Sequence, residues 1–333
     1  MKSIVKLFIV ALLSGSLAVP TLNTISEVSK TASKTEYCYL IAGLDDAAQN
    51  TDVLVILYYD SESNESSVLQ IPRDTYCNLE GNDSKINHLY AHYRTELGSS
   101  EIAMEKTADF IGEIFGTTFD GYVAITTNTF RNAVDSIGGV WVNLPDSFIY
   151  NSKDASESFV LPKGENLLDG NKSEIFVRHR KSYALGDLGR IDAQKIFFGG
   201  LYTTITERIG FDKLIKLALS FDKGMITDFS FAEAAVMFIK NFSKMKYANV
   251  AYVTVPGEAF KHKNGLWYYV LNKKACEKLL SESIFPDAPF DPKRICTDSD
   301  EAQIERIYYD ENITYRVYGQ GDISNIKIPG SLK

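Results

Sequence analysis

From residue 37 to residue 144, short uninterrupted apolar runs alternate with longer stretches in which apolar residues recur at helical spacing. That alternation confines the chain to an α/β architecture. Residues 37–44, 53–59 and 67–71 are apolar runs bounded by Asp, Asn, Gly or Pro, which reads as three strands. Residues 85–97 and 102–115 carry the helical pattern, 122–126 a strand, 129–137 a helix stopped by Gly138-Gly139, and 140–144 another strand. Further on, Ile196, Phe197, Leu201, Ile205 and Ile209 mark a long amphipathic helix over 192–209. Helical stretches recur at 214–221 and 231–245, and a strand at 250–255 stops at Pro256-Gly257. The expected fold is one α/β domain over 37–285, a central mixed β-sheet flanked by helices. A short C-terminal extension follows over 286–333, where Pro286, Pro289 and Pro292 precede a Tyr-rich segment, 307–318, that reads as strand, either an appendage or a final hairpin.

With 333 residues, 45% of them apolar, the chain can bury a large core. It opens with Met1-Lys2-Ser3-Ile4-Val5-Lys6, an uncharged and mostly apolar run over 7–19, and then a polar Thr/Ser/Lys segment. The apolar run is shorter than the ~20 residues of a comfortable spanning helix and follows two lysines, so 1–20 reads as a signal peptide or a membrane anchor, and 21–36 as a polar linker. In both cases the remainder is expected to be extracytoplasmic, secreted or anchored at the cell envelope. Cys38, Cys77, Cys276 and Cys296 show no Cys-x-x-Cys spacing; export permits disulfides, and Cys276 with Cys296 is the pair to test.

The formal net charge of −8 argues against a nucleic-acid binder, which needs a basic footprint over a whole face. Against that acidic background, residues 178–195 gather five Lys and Arg against two Asp. Guanidinium groups hold phosphate oxygens through a fixed fork of donors. Arg178 and Arg180, two apart, reach one direction together when the backbone there is extended or entering a helix. A solvated basic face is the plainer alternative. A second cluster, Ile71-Pro72-Arg73-Asp74-Thr75, has the same character, and two such clusters in one domain point to a shared phosphorylated ligand. His88 and His92 lie four apart without a third metal ligand and read as helix-surface or core polar residues.

The ordered series Gly43-Leu44-Asp45, Thr51-Asp52, Ile71-Pro72-Arg73-Asp74-Thr75, Lys85-Ile86-Asn87, Gly138-Gly139-Val140, Leu168-Asp169-Gly170, Arg178-His179-Arg180 and Gly186-Asp187-Leu188-Gly189-Arg190 resembles the LytR-CpsA-Psr family. The resemblance implies an extracytoplasmic α/β phosphotransferase that moves a teichoic acid, capsular or related glycopolymer from a polyprenyl-pyrophosphate carrier to peptidoglycan. Its partners would be the lipid-linked glycan, peptidoglycan and membrane lipid. By the family pattern Arg73, Arg178 and Arg180 grip the pyrophosphate and Arg190 supports the same site, stabilising charge on the equatorial oxygens. Asp45 and Asp52 resemble the carboxylates that hold magnesium, an ion that takes few carboxylates and completes its shell with phosphate oxygens and water. Asp74 is expected to orient an arginine, or else to accept the proton of the attacking hydroxyl. Asp187, Gln194, Lys195 and Lys181 are candidates for contacting or supporting the pyrophosphate. The apolar faces of 102–115 and 196–209 are candidate walls of a lipid channel, with Gly199-Gly200 admitting a tail close to the backbone.

Two positions depart from the pattern: Asn50 stands where an arginine is usual, and Ala193 where another arginine usually precedes Gln194. Lys195 is the candidate to compensate. Two rival readings remain, a polyprenyl-pyrophosphate phosphatase that uses water in place of the sugar hydroxyl, and a wall-polymer binding protein without turnover.

Overall fold

The computed structural model describes residues 35–45, 47, 49–181, 183, 186–220, 224–228, 241–283, 290 and 301–326. Strands β1 (Glu36–Leu44), β2 (Thr51–Asp60) and β3 (Glu65–Ile71) form an antiparallel meander, followed by the hairpin β4 (Tyr76–Leu79) and β5 (Asn82–Lys85). Helices α1 (Leu89–Leu97) and α2 (Ser100–Phe115) carry the chain across to β6 (Gly121–Ile125), parallel to β1. Helix α3 (Thr127–Ser136) leads to β7 (Val140–Leu144), the hairpin β8 (Phe148–Tyr150) and β9 (Phe159–Leu161), and β10 (Gly164–Leu168), which pairs back onto β7. Then come α4 (Gly170–Arg178), α5 (Asp187–Thr203), α6 (Phe211–Ser220), β11 (Met225–Thr227) and β12 (Asn249–Thr254). The hairpin β13 (Gly257–Lys261) and β14 (Trp267–Leu271), helices α7 (Lys273–Ser283) and α8 (Glu301–Tyr309), and β15 (Val317–Gly319) follow, ahead of a 3-10 stretch, Gln320–Asn325.

Seven strands make the central mixed sheet in the order β11-β6-β1-β2-β3-β12-β15. Successive side chains of a strand point to opposite faces, and both faces here are covered. Leu40, Ala42 and Leu44 enter one core with α1 and α2, while Ile41 meets the other, built around α4 and α5. Burial on both sides is why these strands are continuous apolar runs. Helix α2 starts because the Ser99 hydroxyl accepts from Ile102 N at 3.3 Å, and it ends at Gly116 with φ of 63°. Its inner face, Met104, Ala108, Ile111 and Phe115, falls at helical spacing and is buried; each large side chain there contributes about 1.5–3 kcal/mol.

Some expected elements take another form. Residues 85–88 do not start a helix: Lys85 closes β5 with extended backbone, and Ile86–His88 is a single 3-10 turn before α1. The Tyr-rich segment is not one strand. Ile304, Ile307 and Tyr308 bury at helical spacing against Tyr76, Phe260, Tyr268 and Val270, so the chain stays helical to Tyr309 and only Val317–Gly319 pairs, antiparallel to β12. Residues 241–245 end in helix as expected, whereas 229–240 lie outside the described residues. So do 1–34, Asp46, the three prolines of the tail and Cys296. Cys276 is a free, buried thiol, not a disulfide, and its Sγ donates to the Pro256 carbonyl at 3.4 Å.

The expected lipid channel is not formed by those two helices, because α2 and α5 pack on opposite faces of the sheet. Gly199 and Gly200 serve packing instead. A Cβ at Gly200 would sit 2.3 Å from the Trp141 carbonyl, and one at Gly199 would sit 2.8 Å from Ile323.

Candidate functional site

Strands β1, β3 and β6 run in the same direction, so their C-terminal ends share one edge of the sheet, where open α/β sheets bind ligands. Asp45 follows β1, Asp52 lies at the start of the antiparallel β2, and Arg73-Asp74 follows β3 through a turn closed by Thr75 N donating to Pro72 O at 2.9 Å. Thr127 opens α3 directly after β6. Arg178 is the last residue of α4, and His179 is extended (φ −66°, ψ 139°), so Arg178 and Arg180 leave a helix end instead of entering one. Asp187 and Arg190 occupy the first turn of α5.

These segments converge. The Asp52 carboxylate bridges two arginines, with Oδ1 2.5 Å from Arg73 Nη1 and Oδ2 3.6 Å from Arg178 Nη2. Asp187 Oδ1 gathers three: Arg190 Nη2 at 2.9 Å, Arg180 Nε at 3.4 Å and Arg73 Nε at 3.7 Å. Glu174, one turn before Arg178, holds it at 2.8 Å and binds Arg131 at the same distance. Asp74 pairs with Lys85 at 2.9 Å and stands 3.9 Å from Arg73 Nε, so its tight partner is the lysine. The ion pairs thus link six cations, Arg73, Lys85, Arg131, Arg178, Arg180 and Arg190, to four carboxylates, Asp52, Asp74, Asp187 and Glu174. Counted over these described residues, the network carries two more positive than negative charges.

Burial sharpens this charge. Arg190 is only 2% exposed, and desolvation lowers its pKa to about 10 against the opposing pull of Asp187. It is still cationic at neutral pH. The Nε atoms of Arg73 and Arg190 are buried without a hydrogen-bond partner among the described residues. Each such donor costs on the order of 1–3 kcal/mol, and penalties of that kind gather at binding sites. His179 is wedged edge-on against Tyr150 and Phe148, with ring centroids 5.0 and 6.3 Å away. Burial first, then the Lys181 ammonium, hold its imidazole below the ordinary value, so it is neutral where the arginines are charged.

Arg73, Asp52, Asp74, Arg178, Arg180, Asp187 and Arg190, all singled out in the sequence, therefore belong to one network. Others do not join it. Asp45 organises its own loop, accepting from Gln49 N at 2.8 Å and from the Asn50 side-chain amide at 3.0 Å, which is what the departure at Asn50 does here. Gln194 is buried between Gln70 (3.2 Å) and the Val177 carbonyl (3.0 Å), bracing the end of α4 behind Arg178. Lys195 pairs with Asp192 at 2.8 Å and lies 5.5 Å from the centre of the Tyr318 ring, on the side of α5 that meets the tail strand. Lys181 is exposed, with no ion pair to the cluster among the described residues, and Ala193 is wholly buried in the second core. His92 faces Glu80 (3.6 Å) and Glu96 (3.3 Å).

Four contributors are not among the sequence candidates: Arg131, which Glu174 holds, Lys85, Glu174 and Thr127. Lys85 stands in the sequence only as part of the Lys85-Ile86-Asn87 motif, although its ammonium positions Asp74. Glu174 was legible as the i−4 partner of Arg178 on a helix. Thr127 gave no local signal; its hydroxyl donates to Leu44 O at 3.5 Å and accepts from Arg178 at 3.4 Å, tying the guanidinium to the end of β1.

Known proteins share this sequence pattern and fold. The chain is 25% identical over 251 residues to the polyisoprenyl-teichoic acid–peptidoglycan teichoic acid transferase TagU of Oceanobacillus iheyensis, covering 73% of each protein. It is 30% identical over 173 residues to TagU of Bacillus subtilis, covering 50% of this chain and 52% of that one. Among solved structures, Bacillus subtilis TagV matches with a TM-score of 0.62 at 23% identity over 75% of this chain and 97% of that chain. A structure of TagT bound to LIIa-WTA matches at 0.59 with 22% identity, over 75% and 89%. These structural likenesses show the shared fold. The model of the LytR_cpsA_psr family matches residues 18–284, and the chain belongs to that family.

Proposed function

We propose that the protein transfers a glycopolymer, of the teichoic acid kind on which its relatives are named as acting, from a polyprenyl-pyrophosphate carrier to peptidoglycan outside the cytoplasmic membrane. The observation that carries this reading is the convergence of Arg73 with Arg178, Arg180 and Arg190, from two stretches far apart in the chain, on two shared carboxylates. A diphosphate brings concentrated negative charge to such a cluster and takes up guanidinium donors in fork geometry.

An acceptor hydroxyl attacks the phosphorus that bears the glycan, forming the phosphodiester and releasing polyprenyl phosphate. The arginines neutralise the charge that spreads over the phosphoryl oxygens. Asp74 receives the hydroxyl proton: Lys85 holds its Oδ1 at 2.9 Å, and Oδ2 has no partner among the described residues. Asp187 and Asp52 keep the guanidiniums in place, and buried Gln194 fixes the helix end that carries Arg178.

The donor set also fits a magnesium ion. Asp45 and Asp52 lie at neighbouring ends of β1 and β2 and offer only hard oxygens, and among the described residues each Asp45 oxygen accepts one hydrogen bond. The ion would screen the diphosphate charge. Incubating the purified protein with magnesium, a lipid-linked glycan and peptidoglycan strands tests the reading. Wild type is expected to give glycan-capped peptidoglycan, and Arg178→Ala and Arg73→Ala to give none. Free phosphate without capped product would support the phosphatase, and retention of glycan without turnover would support a binding protein.

Among the described residues no helix is long and apolar enough to cross a membrane; the apolar run at 7–19 lies outside them.

A further inference from the structure

The turn between β13 and β14, residues 261–267, holds two large apolar side chains out in solvent. Leu266 is 51% exposed and Trp267 57%. The turn that presents them is closed by its own hydrogen bonds. His262 N donates to Leu266 O at 2.9 Å, Gly265 N to His262 O at 2.9 Å, and Leu266 N to the Asn264 side chain at 2.9 Å. Asn264 also donates from its backbone N to His262 Nδ1 at 3.1 Å and from its side chain to Tyr268 Oη at 3.1 Å. Gly265 takes the φ of +84° that the turn requires. Beneath it, His262 is 4% exposed and its Nε2 lies 3.3 Å from Asp83 on β5, so the turn is fastened to the body of the protein.

Its charge and place are equally specific. Lys261 and Lys263 are exposed beside the apolar pair, and no acidic residue occurs between Glu258 and Glu277, in a chain of net charge −8. The strand that leaves the turn runs directly to the arginine site. The Tyr268 ring lies under the Lys85 ammonium at 5.5 Å, and Tyr269 N donates to Asp74 O at 2.8 Å.

We propose that this turn is a membrane-docking wedge. Leu266 and Trp267 enter the headgroup boundary of an anionic bilayer, and Lys261 and Lys263 meet lipid phosphates. Trp favours that boundary because its ring is apolar and its N–H polar, and lysines beside an anionic surface each add attraction. An adjacent Leu needs hydrocarbon, which a sugar does not offer, so lipid fits the pair better than a glycan does. The wedge holds the arginine site at the surface where a lipid-borne pyrophosphate is presented, and in that respect it rests on the proposed function.

The chain has two tryptophans, Trp141 and Trp267, and none in the N-terminal apolar run, so full-length Trp141→Phe reports on the turn alone. It is mixed with vesicles of phosphatidylcholine, with and without phosphatidylglycerol, carrying bromine near the glycerol boundary. Expected are a blue shift and quenching of Trp267, stronger with phosphatidylglycerol. Lys261→Gln with Lys263→Gln is expected to weaken the quenching response at least fivefold in lipid concentration. Leu266→Ser, an exposed change that leaves the melting curve in place, is expected to weaken it likewise. Unquenched Trp267 in protein that sediments with vesicles overturns the proposal, as does a spectral shift with a soluble glycerol-phosphate polymer and none with vesicles. Quenching without transfer in the capping assay would leave the wedge standing and remove the function; transfer from detergent-dispersed donor without quenching would do the reverse.

Discussion

Replacing Asp187 by Asn removes the charge that three guanidiniums share and leaves the shape almost intact. Arg190, 2% exposed, then keeps a buried charge whose nearest carboxylate oxygen was 2.9 Å away. At an effective dielectric of 20 that single pair is worth roughly 5–6 kcal/mol of Coulomb attraction. Desolvation offsets part of it, and losing one partner of a buried pair typically costs about 3–5 kcal/mol. Asp187 is itself a quarter exposed, which shifts the expected loss down from that range, to about 2–4 kcal/mol. Urea unfolding of wild type, Asp187→Asn, Arg190→Met and the double variant measures it. The double variant should be more stable than Asp187→Asn alone, because the orphaned charge is gone, with a coupling of about 2 kcal/mol. Pyrophosphate, by bringing negative charge to the same guanidiniums, should raise the Tm of Asp187→Asn more than that of wild type. A loss below about 0.5 kcal/mol, or additive effects of the two changes, would refute the idea that Asp187 neutralises a buried Arg190.

Burial holds the His179 imidazole below its ordinary value, so the unfolded chain takes up the proton first as pH falls. The stability it contributes is complete above about pH 6.5 and declines as pH drops toward the folded-state value. His179→Gln should flatten the fall in Tm between pH 7.5 and 5.5, and an unchanged slope would count against it. Gly200→Ala places a methyl group 2.3 Å from the Trp141 carbonyl and should destabilise by about 1–3 kcal/mol in urea unfolding. On the proposed magnesium role, Asp45→Ala should raise the magnesium concentration needed for half-maximal transfer several-fold while also loosening the loop to Asn50; an unaltered magnesium response would remove Asp45 from the proposed metal site.

The central strands were legible because the sheet is buried on both faces, which turns β1, β2 and β3 into continuous apolar runs. The short strand β5, Asn82-Asp83-Ser84-Lys85, was not, since it has no apolar residue and forms because Tyr76 and Asp83 clasp the hairpin. Tyr308 and Tyr309 favour strand by type, yet tertiary packing of Ile304 and Ile307 makes their segment helical. At the site, Arg178, Arg180 and Arg190 stood out by local reversal of charge. Lys195 lies off the arginine cluster for a geometric reason. Five residues along a helix is a rotation of roughly 140° from Arg190, enough to send its ammonium to Asp192 and Tyr318 instead. Gln194, four residues on, stays near the face of Arg190 and does brace the site.

Calorimetric titration of pyrophosphate into wild type, Arg73→Ala, Arg178→Ala and the double variant bears most directly on whether arginines distant in the chain bind one diphosphate. Expected are at least tenfold weaker binding for each single variant and a double variant little weaker than either, the sign of one shared ligand. Unchanged affinity for Arg73→Ala beside a loss for Arg178→Ala would show that the two guanidiniums serve different sites.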